Sequence, residues 1–204
     1  FARRELDLTL AAIRPMEEQG QLSVKVSREE RGLNQAKLPR PAGQTVRLNE
    51  EQQAAVDRFC KDYEAGKCET YLIHGITGSG KTEVYMELMA RVLRDGKQVI
   101  LLIPEISLTY QTVMRFYRRF GDQIAILNSR LSAGERYDQW ERAARGEVSV
   151  MIGPRSALFA PFSNLGLILI DEEHEGAYKS ETMPRYHARE VAAERARLSG
   201  ASLV

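Results

Sequence analysis

Residues 75–82 read Gly-Ile-Thr-Gly-Ser-Gly-Lys-Thr, and no other stretch of the chain limits its fold as tightly. The pattern GxxxxGK[ST] makes a physical demand. Its glycines let the backbone curl until consecutive N–H groups face an anion, and the N-terminus of a helix has to stand behind them. A strand must enter the loop and a helix must leave it. Residues 71–74 predict the entering strand, and residues 82–94 put Tyr85, Leu88, Met89 and Val92 on one helical face before Gly96 ends the segment. The amides around Gly78, Ser79 and Gly80 then face phosphates, Lys81 adds a point charge near the β and γ groups, and Thr82 offers a hydroxyl to Mg²⁺.

The rest of the chain alternates helix and strand around this loop. Asn49 and Gln52 have capping-box spacing, and Val56, Phe59, Cys60 and Tyr63 recur at helical intervals until Gly66. Residues 99–103, 124–127, 148–152 and 167–170 predict strands. Residues 109–120 and 133–145 predict helices, the second opened by a capping box of Ser132 and Glu135. Residues 201–204 look like one more strand. Such βαβ alternation implies an α/β fold: a parallel sheet flanked by helices on both faces.

Composition bounds the rest. With 204 residues and 43% hydrophobic content, the chain suits one large domain, or one domain with a small appendage. Lys plus Arg number 29 against 28 Asp plus Glu, so any nucleic-acid binding must rest on local patches. The longest apolar runs fall far short of the ~20 residues a membrane helix needs, and no membrane partner is expected. Cys60 and Cys68 lack the spacing of a disulfide framework or a zinc site. Such sparse cysteines fit a reducing, cytoplasmic setting, no signal-peptide core directs export, and Phe1 in place of Met suggests an excised piece. Near the start, an apolar helical stretch over 6–13 precedes Pro15, Gly20 ends that region, and 22–26 alternates as a short strand does. Residues 27–46, with Pro39, Pro41 and Gly43, read as a linker.

The apolar run 167–170 leads straight into Asp171-Glu172-Glu173-His174, which places acids at the carboxyl end of a buried strand, where open α/β sheets bind ligands. Most acidic runs are solvated faces, but this one follows a buried strand in a chain with a phosphate loop. Asp171 can hold the Mg²⁺ that bridges the phosphates, and Glu172 can position and polarise the attacking water. A histidine beside acids, as His174 is, more often forms a hydrogen bond than it catalyses. The residues after it lack the second His of HExxH, which argues against a metalloprotease.

Lys81 and Thr82 together with Asp171-Glu172-Glu173-His174 resemble motifs I and II of superfamily-two helicases of the DExH type. The segments 75–85, 101–109, 153–162, 167–174 and 178–190 narrow the match to the primosomal replication-restart helicases, over about residue 46 to the end. The resemblance implies a first RecA-like P-loop NTPase lobe over 47–204, truncated before motif III, with 1–26 a winged-helix remnant and 27–46 a linker. It makes Lys81, Asp171, Glu172 and His174 catalytic and Gln52, within a Q-type motif, an adenine contact, although Gln52 also reads as a helix cap. Pro104, Glu105 and Thr109 resemble motif Ia, while Arg155 and Ser156 resemble motif Ib. Both loops face single-stranded DNA in this superfamily.

Residues 178–190 resemble an aromatic-rich loop. Tyr178 and Tyr186 could stack on unpaired bases while Lys179, Arg185 and Arg189 neutralise phosphates, unless the tyrosines pack in the core. Arg115, Arg118 and Arg119 fit a solvated helix face better. Asn128-Ser129-Arg130-Leu131 departs from the family's His-Ser-Gly-Leu, as does Ser180 from its common Gln.

The function implied is an ATP- and Mg²⁺-dependent 3′ to 5′ DNA helicase restarting stalled replication forks in the bacterial cytoplasm, associated with the nucleoid. Its partners would be forked and single-stranded DNA, other primosome proteins and single-stranded-DNA-binding protein. The second lobe with its arginine fingers, and the family's zinc-binding cysteines, would lie in an absent C-terminal part, so this piece alone is expected to hydrolyse ATP negligibly. A RecG-like fork-remodelling translocase and a nonenzymatic fork-binding module are the alternatives.

Overall fold

The computed structural model of the chain describes residues 15–16, 18–20, 47–76 and 78–204. It divides into two compact units, residues 1–30 and 31–204. In the first, Pro15, Met16 and Glu18 are helical, the Gln19 N–H donates to the Pro15 carbonyl at 3.1 Å, and Gly20 turns to φ 70°. The helix expected over 6–13, the strand over 22–26 and the linker over 27–46 lie outside the described residues, and with them the winged-helix reading.

In the second unit the first helix, α1 (Glu50–Glu64), starts where its sequence signal places it. Asn49 accepts from the Gln52 N–H while Gln52 accepts from the Asn49 N–H, so two orphan amides of the helix end are satisfied together. Helix α2 (Lys81–Arg94) follows the phosphate loop. Strand β1 (Gln98–Leu102), helix α3 (Tyr110–Phe120), β2 (Ile124–Ile126), α4 (Ala133–Ala144), β3 (Val150–Gly153) and β4 (Leu165–Ile170) come next, close to their expected bounds. Ser132 and Glu135 form the second capping box, at the start of α4.

The five strands of the described residues pair in the order β2-β3-β1-β4-β5, all parallel, with β5 (Ser202–Leu203) at one end. Side chains alternate along a strand, so β1 sends Val99 and Leu101 to one face and Ile100 and Leu102 to the other. All four are fully buried. On the first face they meet Phe59 of α1, Leu88 and Met89 of α2 and Phe116 of α3. On the second they meet Ala143 of α4, a 3-10 turn over Arg155–Phe159 and a fifth helix. Burial on both faces is what a parallel sheet requires.

Two expectations are corrected. Residues 71–74 form no strand. The segment runs beside β5 with one isolated bridge, Thr70 to Leu203, and the Tyr71 N–H donates to the Leu203 carbonyl at 2.8 Å. Its neighbour β5 is only two residues long, so no ladder extends to 74, and Leu72 stays 76% exposed. Residues 188–199, which carried no helical signal above, form helix α5 (Ala188–Ser199), which replaces the far end of the expected aromatic loop. Ala188, Ala192 and Ala196 are its buried face, and Gly200 at φ 61° closes it.

The topology positions the site. Strand β5 pairs with β4 on one side and carries the bridge to Thr70 on the other, so the segment feeding the phosphate loop and the strand feeding Asp171 flank β5 in parallel. Both therefore end at the same edge of the sheet.

Candidate nucleotide site

The phosphate loop is held in shape by its own side chains. The Lys81 ammonium donates to the carbonyls of Gly75 at 2.7 Å and Ile76 at 3.1 Å, so the loop is wrapped around the cation. Gly78 and Gly80 lie at φ 83° and 82°, the left-handed region that side chains disfavour. Gly80 has a second reason to be glycine: a Cβ there would collide with Nε2 of Gln52. That nitrogen donates to the Ser79 carbonyl at 2.9 Å. Gln52 is thus both cap of α1 and brace of the loop.

Thr82 sits at the start of α2, one turn before Tyr85 and on the same helical face. The Tyr85 phenol crosses to Asp171 Oδ1 at 3.2 Å. Asp171 is held at its backbone too: its N–H donates to the Leu102 carbonyl at 2.9 Å, and its carbonyl accepts the Tyr178 phenol at 2.6 Å. Burial lifts the Asp171 carboxyl above its ordinary range, and the Tyr85 hydrogen bond opposes that rise. The Glu172 charge lifts it further, and Lys81 counters. Burial, with the Asp171 charge second, pushes the Tyr85 phenol far up, so it stays a donor at every working pH.

Lys81, Tyr85, Glu172, Glu173 and His174 line one open cavity of about 950 Å³. Lys81 of the phosphate loop and the acids Glu172 and Glu173 therefore meet in one cavity, while Gly78, Ser79, Gly80, Thr82 and Asp171 do not line it. Glu172 is the one described non-glycine residue with positive φ, 50°, and its carboxylate accepts the Ser107 hydroxyl at 3.4 Å. His174 is exposed at the rim. Arg189 lines the same cavity but is paired with Glu173 at 3.0 Å. Among the described residues no cluster of three or more His, Cys, Asp or Glu could hold a metal unaided. Mg²⁺ does not need one: it binds through one or two protein oxygens, with waters and phosphates completing its octahedron. Thr82 and Asp171 fit that mode.

The expected DNA-facing residues divide. Pro104, Glu105, Asn128, Ser129, Arg155 and Ser156 surround a second cavity of about 310 Å³, where the loops after β1, β2 and β3 meet. Thr109 is the N-cap of α3, its hydroxyl accepting the Thr112 N–H at 3.2 Å. Arg155 is a brace, donating to the carbonyls of Ala177 at 3.0 Å and Lys179 at 2.8 Å.

Tyr178 is corrected: its ring is 1% exposed and its phenol bonds the carbonyls of Asp171 and Leu102, so it packs in the core and cannot stack on a base. Tyr186 is half-buried, edge-on to Phe159 with centroids 5.4 Å apart. Phe159, 45% exposed, was not singled out in the sequence. Arg185 is exposed, while Lys179 stands 3.5 Å from Glu181 on the surface. Arg115 and Arg119 pair with Glu83 and Glu87 of α2, tying α3 to the phosphate-loop helix.

Three residues of the site were not legible as such. Tyr85 read only as an apolar-face residue; the one available signal is that a buried phenol needs a partner. Ser107 and Phe159 gave no signal.

Residues 45–197 match the family described as type III restriction enzyme, res subunit. The chain is 46% identical to the replication restart protein PriA of Bacillus subtilis over 193 residues, covering 95% of this chain and 24% of that protein. It is 48% identical to the PriA of Chlamydia pneumoniae over 77% of this chain and 21% of that protein. The corresponding figures for Haemophilus influenzae PriA are 46%, 71% and 20%. The chain thus spans about a fifth to a quarter of the length of these relatives. With the family model covering three-quarters of its residues, and its phosphate loop and acids meeting in one cleft, the chain belongs to the type III restriction enzyme res-subunit family, and within it is similar to a segment of PriA.

Proposed function

We propose that this chain is the first ATP-binding lobe of a DNA helicase that moves 3′ to 5′ on single strands and restarts stalled replication forks. The observation that carries the reading is the convergence of Lys81 and Glu172 on one cavity, with Tyr85 joining the helix after the phosphate loop to Asp171. The PriA relatives support the replication-restart assignment.

ATP supplies the phosphoryl group transferred to water, and Mg²⁺ offsets its charge. The residues of the chain do the rest. Gly78, Ser79 and Gly80 present amides to the phosphates, Lys81 exchanges its loop carbonyls for phosphate oxygens, and Gln52 contacts adenine. Thr82 and Asp171 hold the metal, Glu172 orients the water, and His174 adds a polar group at the cavity rim. Thr109, Ser156, Lys179, Arg185 and Tyr186 face the DNA, with Arg155 holding the turn that carries Lys179. Closure of a second lobe over the cavity converts turnover into stepping along the strand. Forked and single-stranded DNA, primosome proteins and single-stranded-DNA-binding protein are the proposed partners, in the bacterial cytoplasm at the nucleoid.

In the full-length protein, Lys81→Ala should abolish DNA-dependent ATP hydrolysis while leaving much of DNA binding, because Lys81 serves ATP and not DNA. Retained hydrolysis would reject the nucleotide site. Fork processing that survives the loss of hydrolysis would instead favour a nonenzymatic fork-binding module.

A further inference from the structure

The backbone of Glu172 sits at φ 50°, a conformation that costs a non-glycine residue energy and persists only where neighbours hold it. Two contacts do so. The Glu175 N–H donates to the Glu172 carbonyl at 2.9 Å, and the Ser107 hydroxyl donates to Glu172 Oε2 at 3.4 Å. Ser107 lies on the loop between β1 and α3, sixty-five positions away in sequence, and that same loop ends in Thr109. The loop is cross-linked internally. The Thr109 N–H and the Thr112 hydroxyl both donate to the Ser107 carbonyl, at 2.9 and 3.0 Å, and the Thr109 and Thr112 hydroxyls stand 3.0 Å apart. A ligand that drew on the Thr109 hydroxyl would compete with this network and move Ser107.

We propose that Ser107 is a positioning residue: in the DNA-free protein its hydroxyl holds the Glu172 carboxylate away from the water it must orient, and engagement of Thr109 by single-stranded DNA releases it. The inference rests on the proposed function, since it assumes that Glu172 serves hydrolysis and Thr109 meets DNA. Its physical content is separate. A carboxylate tethered by the Ser107 hydroxyl is held from turning towards a water, and the loop offering that hydroxyl reports on what sits at the start of α3. No group transfer is involved beyond the hydrolysis itself.

The test uses the full-length protein, with ATP turnover measured without DNA and with saturating single-stranded oligonucleotide, and nucleotide affinity measured by a fluorescent ATP analogue. Ser107→Ala should raise the DNA-free rate by roughly three- to tenfold, the range that the net worth of an ordinary hydrogen bond represents. The DNA-saturated rate and the analogue affinity should hardly move, so the stimulation ratio collapses. Ser107→Thr, which keeps the hydroxyl, should restore the parent ratio. Thr112→Val, which removes the relay donor but leaves Ser107 in place, should shift the ratio in the same direction as Ser107→Ala by a smaller factor.

Equal loss of both rates in Ser107→Ala would mark the serine as merely structural and overturn the proposal. An unchanged ratio would overturn it too. A parent protein with no turnover at all would overturn the proposed function, and this inference with it, whereas a parent stimulated by DNA with an unmoved Ser107→Ala variant would overturn this inference alone.

Discussion

The phenol of Tyr85 donates to Oδ1 of Asp171 at 3.2 Å, which ties the helix behind the phosphate loop to the acid at the end of β4. The two residues are 86 positions apart, and their contact fixes the carboxylate one turn along the helix from Thr82. A partner that orients a metal-binding carboxylate typically contributes ~10-fold or more to metal affinity. In the full-length protein, Tyr85→Phe should therefore raise the Mg²⁺ concentration for half-maximal hydrolysis by about 10-fold, with little change in the rate at saturating Mg²⁺. A Mg²⁺ titration at fixed ATP decides it; an unmoved midpoint would mean that Asp171 needs no such guide.

Asp171 also has a cost for the fold. Burial raises its carboxyl above the ordinary value of 3.8, so the folded state binds the proton more tightly than the unfolded chain does. Stability from that proton is complete below the unfolded value and is lost as pH rises through the raised folded one. At neutral pH the ionised acid therefore disfavours folding. Asp171→Asn should abolish hydrolysis yet raise the melting temperature of the nucleotide-free protein by one to a few degrees at pH 7. The gap should close as pH falls towards ~4. A variant that melts lower at pH 7, or a gap independent of pH, would contradict the burial account.

Gly80 can be tested against Gln52. Alanine at 80 must adopt φ 82° and clear Nε2 of Gln52, so Gly80→Ala should cost ~1–2 kcal/mol from the backbone alone and dislodge the brace to Ser79. Gln52→Ala removes the same brace and half of a capping box, a loss of ~1 kcal/mol. If the brace is what matters for the loop, the double variant should lose less than the sum of the two, as coupled neighbours do. Thermal melts of the four proteins measure this, and strict additivity would separate the two roles.

Much of this was legible along the chain. The capping boxes at Asn49 and Ser132, the run 99–103 and the apolar approach to Asp171 are local patterns, and each led to the element expected. What escaped was of two physical kinds. Helix α5 buries alanines, whose spacing leaves no large apolar stripe to detect, and residues 71–74 sit beside a two-residue strand, where their apolar content earns no ladder. The contacts of Asp171 with Tyr85 and of Glu172 with Ser107 join residues 86 and 65 positions apart. Sheet order decides such contacts, and nothing in either residue's neighbourhood announces them.

Tyr178 and Tyr186 should part company under substitution. Tyr178→Phe takes a donor from the buried Leu102 carbonyl and the part-buried Asp171 carbonyl and should destabilise the protein by ~1–2 kcal/mol, with hydrolysis falling because the Asp171 backbone loosens. Tyr186→Ala removes a half-exposed ring that touches Phe159; it should leave melting and basal hydrolysis nearly intact while most of the stimulation by DNA is lost. Neutralising Lys179 or Arg185 should lower the salt slope of single-strand binding by about 0.7 each. Melting curves, stimulated rates and salt titrations are three independent readouts, and equal behaviour of the two tyrosines would refute the distinction.

The 204-residue chain on its own should turn over ATP at a negligible rate. Lys81 and Arg189 are the Lys and Arg side chains that line the cavity among the described residues. Lys81 belongs to the phosphate loop, while Arg189 is held by Glu173 at 3.0 Å. Phosphoryl transfer in this class gains ~10³ to 10⁵ in rate from an arginine aimed at the developing charge. No described arginine is free in the cleft to do so, and the proposed function assigns that role to a second lobe. Supplied with ATP, Mg²⁺ and single-stranded DNA, the chain should be slower than the full-length protein by ~10³-fold or more, while still binding a fluorescent nucleotide analogue that Lys81→Ala abolishes. A rate within roughly 10-fold of the full-length protein, a difference of only ~1.4 kcal/mol in barrier, would place the missing cation within the chain. Arg189, released from Glu173 on binding, would then be that cation, and Arg189→Ala would silence the rate that remained.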